Sequence, residues 1–208
     1  MLTESKLVAI IRDVDARYVT GIVQVLLREG IDTVEVSLSN PERGYACIEA
    51  LQRAFSKDQL HLGVGTVVRR SEVDRVSELG ADFILTPGYD DELVGYAQEK
   101  GMEILPGVFT PGEVQKALNR GITLLKLFPA DSLPMNYVSN LKGPFPQAEF
   151  VAVGGVTRDN FTDFLKHGFH GAAIGGGLVP RRATDADLPA IAENARAFVG
   201  ALGKQAKE

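Results

Sequence analysis

The chain has 208 residues, of which 45% are apolar and 24% charged, and its formal net charge is −5. This length suits one sizeable core, so we expect a single domain over residues 1–208. The negative charge argues against nucleic acid or an anionic membrane as a partner, but not against a small anionic ligand. Cys47 stands alone, which excludes a disulfide framework and a cysteine metal cluster. The sequence shows no apolar run of membrane-spanning length and no leader pattern, so we expect a cytoplasmic protein.

Short apolar runs alternate with longer amphipathic segments along the chain. The apolar runs predict eight strands, at residues 7–12, 33–38, 61–67, 83–88, 103–108, 124–129, 150–156 and 172–178. The amphipathic segments predict helices, among them 16–29, 42–55, 71–79, 91–100, 111–119 and 159–167. Ser71 and Thr110 are the predicted N-caps of two of these helices. A glycine is expected to end five helices just before the next strand, at Gly30, Gly80, Gly101, Gly121 and Gly168.

Strict alternation of eight strands with helices predicts a parallel sheet with right-handed crossovers. Eight strands favour a closed (β/α)8 TIM barrel, a fold of the α/β class. An open flavodoxin-like sheet, which needs fewer strands, is the alternative. Because the chemistry of such barrels gathers at the C-terminal ends of the strands, polar residues at those ends are the candidates for a functional site.

Two charged residues lie inside predicted strands. Lys126 occupies the middle of the apolar run "LLKLFPA", and Glu35 lies within "TVEVSL" and points toward the barrel interior. One interpretation is a buried ion pair that only fills the barrel, which contributes little to stability because desolvation offsets the attraction. The other is chemical. A desolvated lysine has a lowered pKa and can attack a ketone to form a Schiff base, while Glu35 transfers the protons that carbon–carbon cleavage requires.

Alternation along two other strands places further residues. Val8, Ile10 and Arg12 share the inward face of the first strand, with Arg12 at its C-terminal end. In "GVGTV", Val64 and Thr66 share a face. A charged side chain at that end of a barrel strand makes Arg12 a candidate for the functional site.

Glycine-rich turns end the last two predicted strands, in "VGGVT" (153–157) and "IGGGL" (174–178). Turns after strands seven and eight of a barrel often bind phosphate through backbone N–H groups. The candidate phosphate ligands are Gly154, Gly155, Gly175 and Gly176. The turn after strand one carries no dinucleotide fingerprint, and no histidine spacing indicates a metal, so we expect neither a cofactor nor a catalytic metal.

Six segments together are similar to a known family, the class I aldolases acting on 2-keto-3-deoxy-6-phospho sugar acids. They are "VEVSLSNP", "GVGTV", "ILTPG", "LPGVFTPGE", "LLKLFPA" and "VAVGGVT", and the resemblance runs over residues 7–180. It implies cleavage of a phosphorylated keto acid to pyruvate and D-glyceraldehyde 3-phosphate by a homotrimer. Carried over by motif, Lys126 resembles the Schiff-base lysine and Glu35 the acid/base glutamate. Thr66 and Pro87 resemble residues that line the pyruvate moiety.

Two departures from the gluconate-type pattern bear on specificity. Gluconate-type enzymes follow the glutamate with a segment like "TLRT", whose arginine holds the substrate carboxylate, whereas this chain has "SLSNP". The pattern is closer to the galactonate type, which carries an arginine at the end of strand one, as Arg12 does, and a "VGGVT" string with Thr157. The turn "IGGGL" also lacks the serine that family members often carry there. Phosphate binding in that turn would depend on backbone donors alone.

Several functions remain open at this point. The substrate is expected to be of the 6-phosphogalactonate or 6-phosphogluconate type, and 4-hydroxy-2-oxoglutarate is an alternative. A barrel that only binds a phosphorylated metabolite is a second alternative, although such a protein would not need both Lys126 and Glu35. A phosphate-binding isomerase or epimerase would share the glycine turns but has no use for a lysine inside a strand.

Overall fold

The computed structural model describes residues 6–205, which form nine parallel strands in one sheet. The strands are β1 (Leu7–Ile11), β2 (Thr33–Ser37), β3 (His61–Gly65), β4 (Phe83–Leu85), β5 (Glu103–Leu105), β6 (Gly107–Val108), β7 (Leu124–Leu127), β8 (Glu149–Val153) and β9 (Gly171–Ile174). Their order across the sheet is β5-β4-β3-β2-β1-β9-β8-β7-β6. The predicted (β/α)8 barrel is confirmed.

The ninth strand arises because the fifth predicted strand is divided at Pro106. The first part, β5, pairs with β4, and the second part, β6, pairs with β7. The carbonyl of Pro106 accepts a hydrogen bond from Lys126 N at 3.0 Å, so the pairing with β7 begins at the break itself. Proline has no N–H to donate, which explains why the ladder is interrupted there. The two ends of the sheet order thus belong to one chain segment, which closes the barrel.

Eight α-helices lie among the described residues. They are α1 (Ala16–Arg28), α2 (Pro41–Ala54), α3 (Arg70–Glu78), α4 (Asp91–Glu99), α5 (Pro111–Asn119), α6 (Tyr137–Lys142), α7 (Phe161–Lys166) and α8 (Leu188–Gln205). The six predicted helices are all present, and α6 and α8 are additional. Among the described residues, no helix combines the length and the apolar composition that crossing a bilayer requires.

The two predicted N-caps have different outcomes. Thr110 caps α5, since its Oγ1 accepts from Glu113 N at 3.4 Å, and the Glu113 carboxylate accepts from Thr110 N at 2.8 Å. The prediction for Ser71 was wrong, because α3 begins one residue earlier, at Arg70. The Glu72 carboxylate accepts from the backbone N–H groups of Val68 and Arg69 instead, at 2.8 and 3.1 Å.

The prediction that a glycine ends each of five helices is confirmed. All five have a positive φ, between 69° at Gly101 and 92° at Gly168, a conformation that favours glycine. Most predicted strands were too long at their C-terminal ends. The strand predicted over 61–67, for example, ends at Gly65 because Thr66 has a φ of 64°. The C-terminal end of the barrel is therefore built from turns where continuous strands were expected.

Apolar side chains form two separate clusters. A small cluster fills the barrel interior and includes Val8, Ile10, Phe83, Leu105 and Val153. A larger cluster lies between the sheet and the helices. The β2 residues Val34 and Val36, with Leu38 after them, belong to this outer cluster, which leaves Glu35 on the inner face as predicted.

Candidate active site

Lys126 lies in the middle of β7, between Gly107 of β6 and Val151 of β8. It is 6% exposed, and its Nζ lies 5.0 Å from the centroid of the Phe128 ring. Burial lowers the pKa of Lys126, because the charged ammonium loses its hydration. The negative charge of Glu35 opposes this effect, and the positive charge of Arg12 reinforces it. The net result is an amine that gives up its proton more easily than a lysine in water.

Glu35 lies on β2 and is 1% exposed. Burial raises the pKa of its carboxyl group above the usual range, while the positive charges of Lys126 and Arg12 act in the opposite direction. Glycines make room for this carboxyl group. A Cβ at Gly65 would overlap the Glu35 carboxylate, and a Cβ at Gly63 would overlap the ring of Phe83. The inward positions of β3 therefore carry no side chain where the glutamate lies.

The ion-pair interpretation finds no support in these contacts. Among the described residues, no salt bridge or hydrogen bond joins Lys126 to Glu35, and Glu35 Oε2 is buried without a hydrogen-bond partner. An unsatisfied buried carboxylate oxygen costs free energy, and a catalytic role is one reason for a protein to keep one. The two groups are close enough to shift each other's pKa, which suits proton transfer through a bound substrate.

A cavity of about 350 Å³ opens at the C-terminal ends of β1, β8 and β9. Six residues predicted to bind substrate line it together: Arg12, Gly154, Gly155, Thr157, Gly175 and Gly176. Phe128 also lines the cavity and contacts the Lys126 ammonium group, so the lysine lies next to its wall. Arg12 Nε is buried and has no hydrogen-bond partner among the described residues. A cation with an unused donor at the cavity wall can bind an anionic group.

Thr66 and Pro87 do not line this cavity; they lie after β3 and after β4. The prediction that Val64 and Thr66 share a face was wrong, because Val64 packs in the outer cluster and the turn at Thr66 follows the end of β3. The positive φ of Thr66 brings its Oγ1 to 3.0 Å from the Oγ of Ser37, two residues after Glu35. A β-branched residue in this conformation is strained, which is typical of functional positions.

The turn that contains Pro87 packs against the strand next to Lys126. Thr86 Oγ1 donates to the carbonyl of Gly88 at 2.7 Å and accepts from Gly107 N at 3.1 Å. A Cβ at Gly107 would overlap the Pro87 carbonyl group. Because Gly107 pairs with Lys126, this turn is one strand away from the lysine. Its predicted contact with pyruvate stays a prediction.

Comparison with known proteins identifies the family. The sequence matches the family model described as KDPG and KHG aldolase over residues 1–193. The chain belongs to this aldolase family. It is therefore a carbon–carbon lyase. Here KDPG stands for 2-keto-3-deoxy-6-phosphogluconate and KHG for 4-hydroxy-2-oxoglutarate.

Three relatives show how far the likeness of this aldolase extends. The 2-dehydro-3-deoxy-6-phosphogalactonate aldolase of Escherichia coli K12 is 33% identical, over 96% of this chain and 95% of its own. The structure described as native KDPGal has a TM-score of 0.88 at 29% identity, covering 99% and 98% of the two chains. The KDPG aldolase of Legionella pneumophila, with pyruvate captured as a covalent carbinolamine, has a TM-score of 0.82 at 25% identity, covering 93% and 94%.

Three features of the aldolase site were not predicted from the sequence. The spacing of "GVGTV" did not reveal that Gly65 makes room for Glu35, although an inward glycine opposite an inward glutamate is a detectable signal. Phe128, two residues after Lys126, lines the cavity, which was not predicted from the sequence. Arg181 lines the cavity from the loop after β9 and carries no local motif. Among the described residues, no group of three or more potential metal ligands comes together.

Proposed function

We propose that this aldolase is a Schiff-base enzyme that cleaves a 2-keto-3-deoxy-6-phospho sugar acid to pyruvate and D-glyceraldehyde 3-phosphate. The observation that carries the proposal is Lys126, a buried strand lysine with a lowered pKa beside a cavity wall. An amine in that state is a nucleophile at a pH where an ordinary lysine is protonated. The covalent carbinolamine of the Legionella enzyme with pyruvate supports the same chemistry here.

The reaction begins when the neutral amine of Lys126 attacks the C2 carbonyl of the keto acid. The carbinolamine loses water to give an iminium ion, whose positive nitrogen withdraws electrons from the C3–C4 bond. Removal of the C4 hydroxyl proton breaks that bond, releases the aldehyde and leaves an enamine on Lys126. Protonation at C3 and hydrolysis of the imine by water then release pyruvate and restore the amine. Glu35, whose carboxyl group is buried and has a raised pKa, is the group we assign to these proton transfers.

Binding of the substrate is assigned to the cavity wall. Arg12 is placed to hold the C1 carboxylate, because its charge acts on the pKa of both Lys126 and Glu35 and its Nε is unused. The turns at 154–157 and 175–177 are placed to hold the 6-phosphate through backbone N–H groups. Thr66 and Pro87 are assigned to the pyruvate moiety on the opposite side of Lys126.

Galactonate-type specificity is the form of the proposal that we favour. Arg12 provides the carboxylate partner from strand one, where the resemblance places it in galactonate-type enzymes, and the segment after Glu35 contains no arginine. A 4-hydroxy-2-oxoglutarate aldolase is the second candidate, since the family model includes that activity. Its substrate bears a carboxylate where the sugar acid bears the phosphorylated carbons.

The test is a cleavage assay that follows pyruvate release. The substrates are the 6-phosphogalactonate and 6-phosphogluconate epimers, their unphosphorylated forms and 4-hydroxy-2-oxoglutarate. We expect the phosphorylated galactonate epimer to give the highest kcat/KM, and Lys126→Ala to release no pyruvate from any of them. A protein that binds these compounds but releases no pyruvate would be the non-catalytic barrel, and the proposal would fail.

We also propose that the enzyme acts as a homotrimer in the cytoplasm. Three large apolar side chains of the described residues are exposed, and two of them, Val68 at 49% and Phe109 at 38%, lie in turns at the C-terminal end of the barrel. Exposed apolar side chains that form one patch mark interaction sites, and we assign these two to the contact between subunits. Cys47 is buried and unpaired, which suits a reducing compartment.

A further inference from the structure

Asp13 anchors three arginines at the mouth of the barrel. Its side chain is 5% exposed and follows Arg12 at the end of β1. It accepts from Arg182 Nε at 2.6 Å and from Asn40 Nδ2 at 3.2 Å, and it lies 3.5 Å from Arg43 Nη1. Arg181 reaches the same carboxylate only at 4.0 Å. One buried carboxylate thus fixes the loop after β9 against the turn that carries the carboxylate-binding arginine.

The charges of this cluster do not cancel. The Arg182 hydrogen bond is the largest of the interactions that lower the pKa of Asp13, and Arg43 and Asn40 add to it. Arg181 is not among the groups that shift this pKa. Asp13 carries one negative charge and is already bound by its nearer partners. The guanidinium of Arg181 is therefore available to bind another anion.

Arg181 directs this charge into the substrate cavity. Among the described residues, Arg12 and Arg181 are the charged residues that line it. Arg12 follows β1 and acts on the pKa of Lys126 and of Glu35. Arg181 lies in the loop after β9, which continues from the glycine turn at 175–177.

We propose that Arg181 binds the phosphate of the substrate and sets the preference for a phosphorylated over an unphosphorylated keto acid. This inference depends on the proposed function. The turn "IGGGL" has no side-chain hydroxyl to donate to a phosphate. In addition, the Asp131 carboxylate packs where a side chain at Gly155 would lie, which adds negative charge beside the first glycine turn. An arginine whose side chain is 64% exposed can supply the missing charge-assisted donors.

The experiment compares kcat/KM for the phosphorylated substrate and its unphosphorylated form in Arg181→Gln and Arg181→Lys. Arg181→Gln should lower kcat/KM for the phosphorylated substrate by about 10- to 100-fold, the range for loss of a hydrogen bond to a charged group. The unphosphorylated substrate should be cleaved at the parent rate. Arg181→Lys should recover part of the loss, because it keeps the charge but not the bidentate geometry.

Arg158→Gln is the matched control. Arg158 follows the turn at 154–157 directly but pairs with Glu193 at 2.9 Å, away from the cavity lining. This variant loses the same unit of charge and should keep the parent preference. Trapping of pyruvate by borohydride separates the two proposals, since pyruvate carries no phosphate: Arg181→Gln should trap it as the parent does. An equal loss for both substrates, an unchanged preference, or the same loss in Arg158→Gln would overturn the role of Arg181 while leaving the imine chemistry intact.

Discussion

The proton affinity of Lys126 is set by three neighbouring influences. Burial and the cation of Arg12 lower its pKa, and the anion of Glu35 raises it. None of these depends on a hydrogen bond to the amine, so they can be changed one at a time by substitution. The site should therefore respond to each neighbour with a shift of predictable sign.

The apparent second-order rate of borohydride trapping with pyruvate should rise with pH through the pKa of Lys126, because only the neutral amine attacks. That midpoint should lie below the 10.5 of an ordinary lysine. Arg12→Gln removes a charge that lowers the pKa, so its midpoint should move to higher pH. Glu35→Gln removes a charge that raises the pKa, so its midpoint should move to lower pH. Shifts in the same direction, or none, would contradict this electrostatic account.

Arg12 should also contribute to affinity, because it is assigned to the carboxylate. We expect Arg12→Ala to weaken pyruvate binding by about 2–4 kcal/mol, the cost of removing one partner of a desolvated charge pair. The measurement is the pyruvate concentration that gives half-maximal trapping, compared with the parent at one pH. Arg158→Ala serves as the control for general loss of charge. An unchanged concentration would contradict the assignment of Arg12 to the carboxylate.

At the scale of the element, β3 shows what alternation along a strand does not reveal. The pattern of "GVGTV" correctly predicts a strand, but the inward positions carry glycine, and Val64 packs outward. The end of β3 was predicted too late because threonine is typical of strands, and its residue type does not indicate the left-handed backbone found at Thr66. Ser71 was preferred as an N-cap by residue type, whereas the Glu72 carboxylate accepts from the N–H groups of Val68 and Arg69, just before α3.

Position 65 should require glycine because of the Glu35 side chain, and not because of the backbone of β3. A Cβ there overlaps the Glu35 carboxylate, so Gly65→Ala should lower the free energy of unfolding by about 1–3 kcal/mol, as overpacking does, and displace the glutamate. In the Glu35→Ala background the same change should cost much less, because the overlapping atoms are gone. Chemical denaturation of the parent, the two single variants and the double variant gives the coupling free energy between Gly65 and Glu35. Gly63→Ala, which overlaps Phe83, should cost the same in both backgrounds. Equal costs for Gly65→Ala in both backgrounds would refute the contact.

At the scale of the whole molecule, the barrel and the pair of Lys126 and Glu35 could be predicted because strand periodicity and a charge inside an apolar run are local signals. The segment around Pro106 was predicted as one strand, and its division into β5 and β6, which closes the barrel, was not. The arginine cluster around Asp13 could not be predicted, since it joins residues 169 positions apart in the chain, such as Asp13 and Arg182. Sequence spacing carries no information on such contacts, which depend on closure of the sheet.

The assembly is the other property of the whole molecule that can be tested. We expect light scattering after gel filtration to give three times the 22.4-kDa mass of the chain. Val68→Asp combined with Phe109→Asp should lower that mass, because two buried charges in an interface would be unpaired. Val68→Ala combined with Phe109→Ala is the control for loss of apolar area alone. A monomeric parent would remove the proposed trimer.

The imine on Lys126 is the most direct test of the whole account. The protein is incubated with pyruvate, reduced with sodium borohydride, digested and mapped by mass spectrometry. We predict one reduced pyruvate adduct per chain, on the peptide that contains Lys126, and no adduct in Lys126→Ala or in Lys126→Arg, whose cation does not deprotonate. Lys116→Ala, which removes a lysine on α5, should be labelled as the parent is. An adduct on any other lysine, or labelling that survives in Lys126→Ala, would contradict the assignment.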